Sequence, residues 1–81
     1  MKHELYSRVA LREDLLKEGL RQGDVATVIE RYDVPLGQEP GYELEVFNAI
    51  GETIAVVTVQ ESQIEALRRD EILSVRQLAA A

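Results

Sequence analysis

Two glutamates, Glu43 and Glu45, stand two apart in the run Tyr42-Glu43-Leu44-Glu45-Val46-Phe47, and a strand puts residues at that spacing on one face. Paired carboxylates can divide acid and base work between them, provided one sits in an apolar pocket that holds its proton on. Outward strand positions flanked by further acids supply no such pocket, so the pair reads as a solvated face. Asp24 follows Gly23 and could orient a ligand, although an Asp in that place also makes a turn by accepting from nearby amides. His3 is the single histidine and cysteine is absent. A transition-metal site would therefore need carboxylates alone around His3, and no metal site is expected. With no nucleophile–base pair either, no catalytic residue, no cofactor and no enzyme activity are expected. Tyr6, Tyr32 and Tyr42 have more to offer a partner. Tyr32 and Tyr42 flank a Pro/Gly loop beside which an extended peptide could dock, and tyrosine suits interfaces because it joins apolar area to a hydroxyl. The same tyrosines could instead cap the ends of a small core.

Those side chains must be positioned by a chain of 81 residues, enough for one domain and one core. A domain this short buries only about 60% of the surface it exposes when unfolded. Lacking cysteine, it has no disulfides, and a 46% hydrophobic composition must hold the core unaided. The formal net charge is −6, unevenly spread. From Asp24 to Glu65 there are nine acids against one base, Arg31. Such a sheet repels a polyanion, which argues against nucleic-acid binding. The acids either keep a small protein soluble or form a face that attracts a basic partner. Met1-Lys2-His3-Glu4 is polar and runs straight into apolar alternation, and no stretch approaches the length of a membrane span. No leader peptide and no membrane association are expected, and a cytoplasmic location is the default.

Alternation from Leu5 to Leu11 predicts a first strand. Residues 12–22 break that pattern and predict a long loop with one helical turn, Leu15 or Leu20 tucking over the end of the core. Gly23-Asp24 marks a turn. Val25 to Tyr32, rich in β-branched residues, predicts a second strand. Asp33 to Gly41, with two prolines and two glycines, is a loop. Tyr42 to Phe47 is the clearest strand, with Leu44 and Val46 inward and Glu43 and Glu45 outward. Asn48-Ala49-Ile50-Gly51 turns it back into Glu52 to Val59, where Ile54 and Val56 are the expected core residues. Ser62-Gln63-Ile64-Glu65 matches a capping box and predicts a short helical turn to about Leu67. Glu71 to Arg76 is the expected last strand, with Ile72 pairing across the core. The expectation is one domain over residues 1–78 with a frayed end at 79–81. Its fold class is all-β with one short helical turn, arranged as a five-stranded SH3-like small barrel, which limits exposed sheet edges.

The segments Gly19-Leu20-Arg21-Gln22-Gly23-Asp24-Val25-Ala26-Thr27-Val28-Ile29-Glu30, Tyr42 to Phe47 and Gly51 to Val59 resemble a family of small bacterial proteins known as domain of unknown function 4926. The likeness runs from about Val9 to Leu67. It departs from the usual pattern at Ala26, where Gly is usual, and at Leu16, where Pro is common. Gly-Asp-x-x-x-Val also resembles the opening of the KOW type of SH3-like barrel. The resemblance implies a compact β-barrel and no activity, its members looking like accessory proteins encoded beside larger partners. With the charge asymmetry, this leads to a protein-interaction module, of antitoxin or immunity type, that covers a basic site on a larger partner through Tyr32, Tyr42, Glu43 and Glu45. The alternative is a homo-oligomer that assembles through barrel edge strands.

Overall fold

The computed structural model describes residues 2–78; the frayed end expected at 79–81 lies outside the described residues. The fold is all-β. Its elements are β1 (Arg8–Leu11), a 3₁₀ turn (Leu16–Glu18), β2 (Val25–Tyr32), β3 (Gly41–Phe47), β4 (Thr53–Gln60), a second 3₁₀ turn (Glu61–Gln63) and β5 (Ile64–Ala66). The strands form one antiparallel sheet in the order β4-β3-β2-β1-β5. β4 and β5 are its two edges. They do not pair with each other, so the ladder does not close into the expected barrel.

A single row of small and branched side chains fills the core. Val9, Leu11, Ala26, Val28, Tyr42, Leu44, Val46, Val57, Val59 and Ile64 are all buried. β3 supplies the most regular part: Tyr42, Leu44 and Val46 turn inward, and the residues between them remain half-buried on the other face. Leu20 is buried against the same core, and the loop that carries it is pinned by reciprocal backbone bonds between Leu15 and Leu20. Thus the first loop, its helical turn, β2 and β3 fall where the residue patterns place them. Ala26 lies inside β2, paired with Val9, so the small side chain there serves close strand packing.

Four expectations about individual elements are corrected. The first strand begins at Arg8 rather than Leu5, because Tyr6 takes a positive φ of 67°, which interrupts the extended run. In β4 the core residues are Val57 and Val59, whereas Ile54 and Val56 are 38% and 49% exposed. The register explains this: Val59 stands opposite Tyr42, Val57 opposite Leu44 and Val56 opposite the outward Glu45, and beyond Val46 a bulge leaves Ile54 unmatched beside Phe47 on the outer face. Ala55, Val57 and Val59 thus share the inward face of Val46, Leu44 and Tyr42. Finally, Glu71 to Arg76 forms no strand and Ile72 is 94% exposed. The edge of β1 is already taken by β5, with Val9 opposite Ala66 and Leu11 opposite Ile64. The capping box is also displaced, since the Gln60 amide donates to Gln63 Oε1 at 2.8 Å and the turn starts two residues earlier than Ser62 would place it.

This register makes neighbouring valines unequal. Val57→Ala removes packed methyl groups and opens a cavity, at a cost of about 2 kcal/mol. Val56→Ala trims a half-exposed side chain and costs less than about 0.5 kcal/mol. Urea unfolding of the two variants checks the register, and the reverse order of midpoints would overturn it.

Candidate interaction face

The face of the sheet turned away from the core carries the acids. Thr27 stands opposite Glu45, and Glu30 opposite Glu43, so two carboxylates of the same sign meet across the β2–β3 ladder. Such an opposition destabilises a sheet unless something compensates. Hydroxyls do so in part. Tyr32 donates to Glu43 Oε2 at 2.7 Å, and Thr53 donates to Glu45 Oε2 at 2.5 Å. The Tyr32 hydroxyl is held above its ordinary titration range, chiefly because the protonated form donates to Glu43. The nearest base on β2, Arg31, turns to Asp33 instead, at 2.9 Å. Among the described residues no basic side chain forms an ion pair with Glu30, Glu43 or Glu45.

Alternation continues this face toward the other end of the sheet as an apolar surface of Val25, Phe47 and Ile54. There the segment after β5 crosses it, leaving a cleft of about 530 Å³ lined also by Leu67, Leu73 and Leu78. The crossing segment is fastened at Asp24. Arg76 Nε donates to Asp24 Oδ1 at 2.7 Å and Nη2 to Oδ2 at 2.5 Å, a two-pronged pairing that suits the planar guanidinium. Nη2 also reaches the Gly19 carbonyl at 3.4 Å. Asp24 meanwhile accepts from the Arg21 amide at 2.8 Å, the turn-making role its place after Gly23 predicts. The Arg76 guanidinium holds the Asp24 carboxyl below the usual carboxylate range, against the opposing effect of its partial burial.

The four residues expected to meet a partner are not brought together. Tyr32, Glu43 and Glu45 share the outer face, but Tyr42 is wholly buried and cannot present a docking surface. Its ring packs edge-on against His3 with centroids 5.3 Å apart, and its hydroxyl donates to Glu61 Oε2 at 2.7 Å. The reason is parity: in β3 the residue next to an outward glutamate points inward. Tyr6 is exposed, apart from the other two. What the residue patterns miss altogether is Arg76. No local spacing links a base near the end of the chain to a turn 52 positions earlier.

The chain belongs to the family described as domain of unknown function (DUF4926), whose model matches residues 5–66. The segment that carries Arg76 lies beyond the matched residues. No curated protein and no solved structure matches the chain. No helix among the described residues is long and apolar enough to cross a membrane.

His3 gives the site a dependence on pH. It is 3% exposed, its Nε2 has no hydrogen-bond partner among the described residues, and burial holds its imidazole below the ordinary value of 6.5 despite the nearby Glu61 carboxylate. The unfolded chain thus takes up the proton first, so this contribution to stability is complete above pH about 6.5 and is lost as the pH falls below it. Thermal midpoints between pH 7.5 and 5.5 should fall for the wild type and fall less for His3→Gln. Equal slopes would show that His3 is not the group responsible.

Proposed function

We propose that the chain is a non-catalytic protein-interaction module whose outer sheet face receives a basic, partly apolar segment of a larger protein. The observation that carries this reading is the row Glu30, Glu43 and Glu45, which has no basic partner among the described residues and runs into the apolar surface of Phe47 and Ile54. Acids opposed across a ladder weaken the isolated sheet, and a cation from a partner would relieve that repulsion as it bound. An accessory role of antitoxin or immunity type fits a small acidic domain that covers a basic site. The strand order, with a 3₁₀ turn joining β4 to β5, supports an SH3-like small barrel whose closure is incomplete.

A second reading rests on β4. Its eight residues carry no charge, and its outer edge pairs with no described strand. Edges of that composition pair with copies of themselves. Light scattering across a hundredfold concentration range tests this assembly, and a monomeric mass throughout removes it.

For the leading reading, affinity capture from the native host at low salt should retain one stoichiometric partner. Replacing Glu43 and Glu45 together by Gln should weaken that complex about tenfold, as should raising the salt to about 0.5 M, where the screening length is only a few ångströms. Retention indifferent to both changes would sink the electrostatic reading.

A further inference from the structure

The segment from Leu67 to Leu78 sits on the sheet as a ligand would rather than as part of it. Outside the strands its one described backbone bond is local, the Glu71 amide donating to the Arg68 carbonyl at 3.1 Å. It gives no strand to either sheet edge. Its hold on the body is the Arg76 pairing with Asp24 and Gly19, helped by aliphatic contacts at the cleft. Those contacts are thin: Leu73 and Leu78 remain 52% and 51% exposed, while Ile72 and Val75 are 94% and 90% exposed. Fixing an extended segment costs backbone entropy at every residue, and one partly buried ion pair with little apolar burial offsets that cost poorly.

The receiving site, by contrast, is well formed. Asp24 is held by the Arg21 amide on the turn before β2, and its side chain is only 17% exposed. The cleft beside it keeps about 530 Å³ with the segment in place, within the range of sites that take ligands. Phe47, which lines it, stands two residues from Glu45 on the same face of β3. Carboxylate, apolar cleft and acid row thus lie in line.

We propose that this cleft is a peptide-binding site occupied in the free protein by the chain's own Glu71–Leu78 segment, which acts as a displaceable stand-in for the true ligand. The ligand is an extended segment with an arginine to take the Asp24 carboxylate, aliphatic residues beside it for Phe47 and Ile54, and further basic residues to reach Glu45 and Glu43. Charge complementarity selects it: Asp24, Glu45 and Glu43 are negative, the bases of this face, Arg8 opposite Thr27 and Arg12 paired with Glu65 at 3.8 Å, lie to its β1 side, and the resident segment meets Asp24 with an arginine. This assignment builds on the reading of the outer face as a site for a basic partner, and it names where that partner anchors and what it must displace.

The test uses the full chain and a labelled peptide of the sequence Glu-Ile-Leu-Ser-Val-Arg-Gln-Leu, residues 71–78, followed by fluorescence anisotropy. Wild type should bind it weakly, because its own segment competes at a high effective concentration. Arg76→Ala unfastens that segment and should bind the peptide at least tenfold more tightly. A peptide with Gln in place of its arginine should bind neither protein, and adding Asp24→Asn to Arg76→Ala should abolish the gain, with thermal melts confirming that the variants remain folded. Equal affinity of wild type and Arg76→Ala for the peptide, or binding indifferent to its arginine, would overturn the proposal. Glu43→Gln with Glu45→Gln, placed in the Arg76→Ala background, should weaken this single-arginine peptide by much less than Asp24→Asn does, because the two acids act on it only at a distance. Partner capture indifferent to the Glu43 and Glu45 replacements, with the peptide behaving as expected, therefore counts against the acid row alone; salt-sensitive capture without the gain in Arg76→Ala counts against the cleft alone.

Discussion

The pleat of β3 is the constraint on which the other features depend. A chain without disulfides must bury one complete row of side chains to fold, and in β3 that row is Tyr42, Leu44 and Val46. Strand side chains alternate, so burying these three leaves Glu43 and Glu45 on the opposite face whatever their own preference. A slip of one residue would bring both carboxylates into the core, where they would lack compensating charge; the register is therefore firmly specified. β4 obeys the same row through its pairing, and β2 aligns Ala26 and Val28 with it. The acidic face is thus a product of the core, set in place by packing rather than by any bond that the acids make.

Bulges then adjust where that face points. One lies in β2, where the register shifts between Val28 and Glu30, and another in β4 at Ile54. Each inserts an unmatched residue and changes which side chains share a surface. Through the first, Glu30 comes opposite Glu43. At the second, Ile54, outward by its parity with Val56, is left unmatched beside Phe47, giving the acid row an apolar end.

What could be read directly from the residues follows from this division. β2, β3, the turn at Asn48, the helical turn in the first loop and the outward direction of Glu43 and Glu45 all rest on local alternation or turn chemistry, and local signals suffice for them. Ile54 and Val56 are legible as strand but not as to side, because β4 is apolar on both faces and only its register against β3, a long-range pairing, decides between them. β5 is three residues long, too short to show a period, so the aliphatic run Glu71 to Arg76 looks like the better strand. Tyr42 reads equally well as an interface residue or as core, and the choice is made by Glu61, whose carboxylate takes its hydroxyl and so satisfies the polar end of a buried ring. The pairing of Asp24 with Arg76 is long-range and has no local signature at all.

Charge placement joins these levels. Like charges directly opposed across a ladder conflict with the fold that holds them, and such conflicts concentrate where a surface serves something other than stability. Here Arg31 could have approached Glu30 or Glu43 yet pairs with Asp33, while Arg76 is drawn from the end of the described chain to Asp24, 52 positions away. The result is a row of carboxylates steadied by two hydroxyls and, at Glu30, by the Arg31 backbone amide at 3.0 Å, beside one carboxylate already holding an arginine. Hydroxyls satisfy lone pairs without cancelling charge. The acid row therefore retains its field toward solvent, and Arg76, the base that holds Asp24, sits on a segment that joins neither sheet edge. A basic ligand approaching the face meets an attractive field along the acid row and, at Asp24, an arginine that it can replace like for like.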